Sequence, residues 1–211
     1  MEIAREAAKM ELDMLVLDDG WFGKRNDDYS GLGDWFVNEK KLGCSLKELS
    51  DQIHEMGLSF GLWFEPEMIS EDSDLYREHP EWAMVVPGRE PIRGRSQLVL
   101  DMSREDVVEY LKERLFAIMD SADIRYIKWD MNRSLALAYG ALFPRERQGE
   151  LRHRYVLGLY EVMETLLARY PELLLEGCSG GGGRFDPGML YYAPQIWCSD
   201  NTDAIERLRI H

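Results

Sequence analysis

The chain has 211 residues, and its 39 Asp and Glu outweigh 25 Lys and Arg to give a formal charge of −14. So acidic a surface repels a polyanion and offers no counterion release, which excludes a general nucleic-acid binder. Hydrophobic residues make up 45%, enough for a buried core, while an apolar run of about 18 residues and a basic-then-apolar export signal at Met1-Glu2-Ile3-Ala4-Arg5-Glu6 are both lacking, so a folded, cytoplasmic protein without a membrane span is expected.

The length suits one domain, and no Gly/Ser linker divides it. Residues 2–11 have helical spacing, with Ile3, Ala7, Ala8 and Met10 toward an apolar side. Asp13-Met14-Leu15-Val16-Leu17 is a short buried strand that ends in Asp18-Asp19-Gly20. Ser45 with Glu48 three residues on is a capping box for a helix to Met56, closed by Gly57, and strand 58–64 follows at once. An irregular excursion holds a short helix near 72–78 and an extended segment at Gln97-Leu98-Val99-Leu100. Helix 104–121 is expected to be capped by Ser103 and to bury Val107, Val108, Leu111, Leu115, Ile118 and Met119. Strand 124–129, helix 148–170, strand 173–175, a short helix near 187–193, strand 195–198 and a helix beginning near Asp203 complete the chain.

Near-continuous apolar strands separated by helices predict an α/β fold with a parallel sheet and helical crossovers. Five such strands, against the roughly 250 residues of a complete eight-stranded barrel, predict a partial TIM-type (β/α) barrel occupying residues 1–211 as a single domain.

In such folds ligands bind beyond the carboxyl ends of the strands. The five exits are Asp18-Asp19-Gly20-Trp21-Phe22, Trp63-Phe64-Glu65-Pro66-Glu67, Lys128-Trp129-Asp130-Met131-Asn132-Arg133, Glu176 to Arg184, and Cys198-Ser199-Asp200-Asn201-Thr202-Asp203, and each carries an ionisable side chain. One Asp at a strand end is as well explained by helix capping or a turn. Five acidic exits, most of them with an aromatic or glycines, point instead to sugar: carboxylates accept hydroxyl protons, indoles pack on a pyranose face, and a carboxyl pair can perform glycoside hydrolysis. Glycines 180–183 lack the Lys-Ser/Thr ending of a phosphate loop. Cys178 has no characteristic histidine partner, since His54, His79, His153 and His211 fall in expected helices or connections, so it is a pocket wall. Trp82, Trp197 and most methionines are expected to pack in the core or loops. The three cysteines, Cys44, Cys178 and Cys198, show neither disulfide nor zinc spacing, and no cofactor or metal is indicated.

These exits, with Gln97-Leu98-Val99-Leu100-Asp101 and Gly180-Gly181-Gly182-Gly183-Arg184-Phe185-Asp186, resemble in order and from end to end the motifs of bacterial α-galactosidases of glycoside hydrolase family thirty-six. The resemblance implies a retaining hydrolase of terminal α-linked galactose, acting without metal on melibiose- and raffinose-type oligosaccharides. By the same resemblance Asp130 is the nucleophile and Asp200 the acid/base, Asp18 and Asp19 bind galactose hydroxyls, and Trp63, Arg95, Lys128 and Cys178 line the pocket. Lys128, two residues before Asp130 on an extended strand, faces the same side, where a cation favours the ionised nucleophile. Asp200 calls for partial burial or the neighbouring charge of Asp130 to keep its proton, and the retaining geometry sets the two carboxyl groups about 5–5.5 Å apart. Interception of the ester by a sugar hydroxyl instead of water gives a transferase with the same residues.

Family members are longer, and against them this chain runs from the helix after the first barrel strand to just past the sixth. Open sheet edges at 13–17 and 195–198 then predict self-association into a homo-oligomer, and either weak hydrolysis or a non-catalytic, carbohydrate-binding fragment is the alternative to an active enzyme.

Overall fold

The computed structural model describes residues 1–136 and 138–210. In chain order the elements are α1 (Glu2–Lys9), β1 (Met14–Leu17), α2 (Glu39–Leu42), α3 (Leu46–His54), β2 (Ser59–Phe64), β3 (Met68–Ile69), α4 (Asp74–Glu78), β4 (Leu98–Val99), α5 (Glu105–Met119), β5 (Tyr126–Trp129), α6 (Leu151–Arg169), β6 (Leu174–Gly177), α7 (Pro187–Tyr192), β7 (Gln195–Ile196) and α8 (Ala204–Ile210). Two 3₁₀ turns, Pro80–Trp82 and Arg145–Glu150, precede β4 and α6.

The five expected strands form one sheet in the order β1-β2-β5-β6-β7, each parallel to its neighbour. Spatial order equals chain order, with no reversal of direction across the sheet. That is the winding of a (β/α) barrel and not of a doubly wound sheet with a switch point, so the sheet is a partial barrel. The remaining strands, β3 and β4, pair antiparallel across the excursion between β2 and α5. Register puts Leu17 beside Leu62, Leu62 beside Ile127 and Ile127 beside Leu175. The last three of these are fully buried, as strands covered by helices require. Gly61 lets β2 lie close to its neighbours: a Cβ there would meet the Tyr126 Cβ at 2.9 Å and Val16 Cγ2 at 3.1 Å.

Helix α3 starts where its capping box predicts, with Ser45 Oγ accepting from the Glu48 N–H and the Glu48 carboxylate accepting from the Ser45 N–H. The buried stripe of α5 is the predicted one, and α5 packs on α6. Gly158 gives this layer its closeness, because a Cβ on it would stand 1.8 Å from the Met102 carbonyl oxygen.

Two local expectations are corrected. Ser103 does not cap α5: its hydroxyl donates to Asp101, and Arg104 occupies the cap position with no side-chain capping bond. In α1 the buried positions are Ala4 and Ala7, while Ile3 is 74% and Met10 66% exposed. The reason is that β1 pairs only with β2 among the described residues and leaves its flank open, so the apolar stripe has no partner on that side. The segment 20–38, for which the sequence predicts no element, holds Trp21, Phe22 and Trp35 buried against Trp63 and Phe64 in a cluster of aromatic rings. The helix expected to run to His211 is observed to Ile210, and His211 lies outside the described residues.

Candidate active site

The strand exits meet on one rim. From β5, Lys128 reaches across to β1 and donates to Asp18 Oδ2 at 3.0 Å. Burial works to lower the pKa of the lysine, but the hydrogen bond and charge of Asp18, with Cys178 and Asp130 adding to them, carry it above the ordinary value. Its Nζ also lies 5.1 Å from the centre of the Trp197 ring, just past β7. One side chain thus ties the first, third and fifth strands of the sheet together.

Asp130 follows β5 directly and is 5% exposed. Its Oδ1 accepts from the Met131 N–H at 2.9 Å, and its Oδ2 from Trp63 Nε1 at 3.1 Å and Asn132 Nδ2 at 2.7 Å. Three donors from two strand exits hold the carboxylate in one orientation, which satisfies a buried acceptor and pre-sets its direction. Trp63 is itself fixed, with its ring stacked on Phe22 and its carbonyl accepting from Trp21 Nε1 at 2.9 Å. Cys178, buried after β6, has its thiol pushed up to about 12, by burial first and then by the charge of Asp130. A thiol so placed keeps its proton near neutral pH.

Asp19 turns away from Asp18 and is clamped by Arg25, whose Nη2 lies 2.8 Å from Oδ2 and whose Nε lies 3.0 Å from Oδ1. The Arg25 guanidinium is buried, with Nη1 donating to the Ser30 carbonyl at 3.0 Å, and the Lys41 amine caps the carbonyl of Arg25. Below the rim, Glu67 is fully buried and gathers Trp129 Nε1 at 2.9 Å, the Tyr155 hydroxyl at 2.6 Å and Arg184 Nη1 at 3.0 Å. Arg184 Nη2 lies 2.9 Å from Oε1 as an ion-pair contact outside hydrogen-bond alignment. The last residue of the glycine-rich exit thereby anchors that loop under β2 and β5. Beside it, a cleft of about 470 Å³ lies between α6, α7 and the exits of β5 and β6, lined by Asn132, Arg133, Tyr155, Ser179, Arg184 and Met189 among others.

Of the residues expected in the site, Asp18, Lys128, Trp63, Asp130 and Cys178 are brought together through these contacts. Asp19 joins through Asp18, whose Oδ1 accepts from the Asp19 N–H at 2.9 Å. Asp200 is held by Trp197, whose Nε1 donates to Oδ1 at 2.8 Å. The partial burial expected for Asp200 is not seen: it is exposed, and α8 just beyond it buries none of its residues. Arg95 stands apart, exposed at φ +50° in a tight turn whose ends Gly94 and Gln97 bridge, and among the described residues no hydrogen bond or ion pair links it to the rim. Trp197, expected to be packing, lies instead at the rim between Lys128 and Arg207. Arg25, Asn132 and the Glu67–Arg184 pair were also not singled out, although Asn132, Glu67 and Arg184 lie inside the quoted exits. Among the described residues no group of three or more His, Cys, Asp or Glu is arranged to hold a metal ion, and no helix is long and apolar enough to cross a membrane.

The profile of the Melibiase family matches residues 1–211. The chain is 60% identical over 210 residues to the bifunctional alpha-galactosidase/sucrose kinase AgaSK of Mediterraneibacter gnavus, covering all of this chain and 22% of that protein. The crystal structure of the GH36 alpha-galactosidase AgaA of Geobacillus stearothermophilus superposes with a TM-score of 0.95 at 57% identity, covering 99% of this chain and 29% of that one. An AgaA variant in complex with raffinose superposes with a TM-score of 0.95 at 56% identity, over 99% of this chain and 29% of that one. The chain therefore spans less than a third of the length of these relatives, and over its own full length it belongs to the Melibiase family.

Proposed function

We propose that this rim hydrolyses terminal α-linked galactose from oligosaccharides by double displacement, in the cytoplasm and without a metal or cofactor. The Asp130 carboxylate attacks the anomeric carbon as the Asp200 carboxyl gives its proton to the departing glycosidic oxygen. Asp200 then takes a proton from the water that attacks the same carbon, and the ester to Asp130 breaks. Asp18 and Asp19 take the sugar hydroxyls, and Trp63, Arg95, Lys128 and Cys178 line the pocket.

The observation that carries this reading is the setting of Asp130, buried yet held by Trp63, Met131 and Asn132 at the carboxyl end of a barrel strand. A group so placed is poised for attack without reorganising. Support also comes from the likeness to AgaA, one variant of which is described in complex with raffinose. A sugar bound beside Trp197 covers Asp200 and supplies the desolvation that the free site lacks. We further propose that residues 1–211 act as a single unit and that the open flanks of β1 and β7 associate with a second copy.

Release of nitrophenol from nitrophenyl α-galactoside tests the chemistry. Hydrolysis that falls at least about a thousandfold in Asp130→Asn supports it. Turnover that survives the substitution removes Asp130 from the role. A protein whose melting temperature rises with galactose but which releases no nitrophenol is the alternative, a carbohydrate-binding chain without turnover.

A further inference from the structure

The reaction just described leaves several buried carboxyls unused, Glu65 among them. Glu65, two residues past Trp63, is 1% exposed. Its Oε1 accepts two bonds of 2.6 Å, from Gln97 Nε2 and from the backbone N–H of Asn132. The side chain of that same Asn132 donates to Asp130 Oδ2. Asn132 is thus pinned by its main chain to one carboxyl and by its amide to the other. On the far side Arg133 Nη1 donates to the Gln97 carbonyl at 2.8 Å, which fixes the second donor to Glu65.

Resting on the catalytic reading above, we propose that Glu65 is a positioning residue, which clamps Asn132 so that the asparagine amide holds the Asp130 carboxylate in the orientation of attack. Keeping an acid there works against folding. Burial, and after the opposing Asn132 N–H the charge of Asp130, pushes the Glu65 carboxyl up to about 7. An uncharged acceptor would fill the same space without that cost. Its Oε1 accepts both bonds in either charge state, and when ionised the acid adds a shorter and stronger bond to the Asn132 main chain. A misplacement of about 1 Å at a reacting group costs on the order of a hundredfold in rate, so a tighter clamp has a kinetic return.

The test compares kcat and KM for nitrophenyl α-galactoside in the intact protein. Glu65→Ala should lower kcat roughly ten- to hundredfold with KM little changed, and Glu65→Gln, whose carbonyl can accept both bonds, should recover most of that loss. Asn132→Ala should lose as much, and the Glu65→Ala/Asn132→Ala double variant no more than either alone, because both act through one contact. The backbone amide proton of Asn132, shifted downfield by its carboxylate bond, should move upfield in Glu65→Ala. A Glu65→Ala protein that melts cooperatively with wild-type kcat overturns the proposal, as do losses that multiply in the double variant. If Glu65→Ala does not fold, a folded Asn132→Ala with wild-type kcat overturns it equally. A wild-type protein that releases no nitrophenol overturns the catalytic reading itself, an outcome set apart from these because the variants are scored only against an active wild type.

Discussion

Glu65 shows how one side chain links stability to pH. Its carboxyl, raised from 4.5 to about 7 by burial and the nearby Asp130, keeps a proton in the folded chain over a range where the unfolded chain has released it. The folded state binds more protons there, so stability falls as pH rises from 4.5 to about 7 and the loss is complete above that. At about 1.4 kcal/mol per unit, the loss is on the order of 3 kcal/mol. Glu65→Gln should therefore melt higher than wild type at pH 8, with the two converging near pH 4, which thermal melts across that range will check. Asp200 invites a different measurement. A nitrophenolate leaves without a proton, whereas a sugar alcohol needs one, so Asp200→Ala should lose far more activity on raffinose than on nitrophenyl α-galactoside. Equal losses on the two substrates would take the acid role away from Asp200.

At the scale of elements, Gly158 and the Glu67 cluster carry the sharpest expectations. Gly→Ala inside a helix ordinarily stabilises by about 1 kcal/mol. In α6 it should instead destabilise by about 1–3 kcal/mol, because the new methyl would stand 1.8 Å from the Met102 oxygen, and urea unfolding will show the sign. Arg184→Ala leaves Glu67 buried without its cation and should cost about 3–5 kcal/mol, a loss visible in the same unfolding curve.

How far these elements were legible follows from the range of the interactions that make them. Strands β2 and β5 show as short apolar runs because they are buried along most of their length, and the start of α3 shows because Ser45 and Glu48 settle it between themselves. The cap of α5 was misassigned because Ser103 had a better acceptor in Asp101, two residues back. In the site, local spacing marked Asp130 and Lys128. What holds them comes from Trp63, 67 positions from Asp130, and Asp18, 110 positions from Lys128, which no local pattern reveals. The place of Trp197 is hidden for the same reason, since its neighbour Lys128 is supplied by another strand.

For the whole molecule, the sheet closes on neither side among the described residues: β1 pairs only with β2 and β7 only with β6. Exposed apolar side chains gather at both ends of the chain, with Ile3 and Met10 on α1 and with Ile205 and Leu208, 80% exposed, on α8. Unpaired strand edges beside such surface are a template for association. Light scattering on the 211-residue chain should give a mass above 24.6 kDa that rises with concentration, and a mass fixed at the monomer value would speak against pairing of copies.

The central claim is that Asp130, held by Trp63, Met131 and Asn132, forms a bond to the sugar. A 2-fluorinated galactosyl donor with a good leaving group should stall at the ester, and mass spectrometry of the digested protein should find the added fluorogalactosyl mass on the peptide containing Asp130. The adduct found on Asp200, or turnover of the donor with no adduct formed, would contradict it.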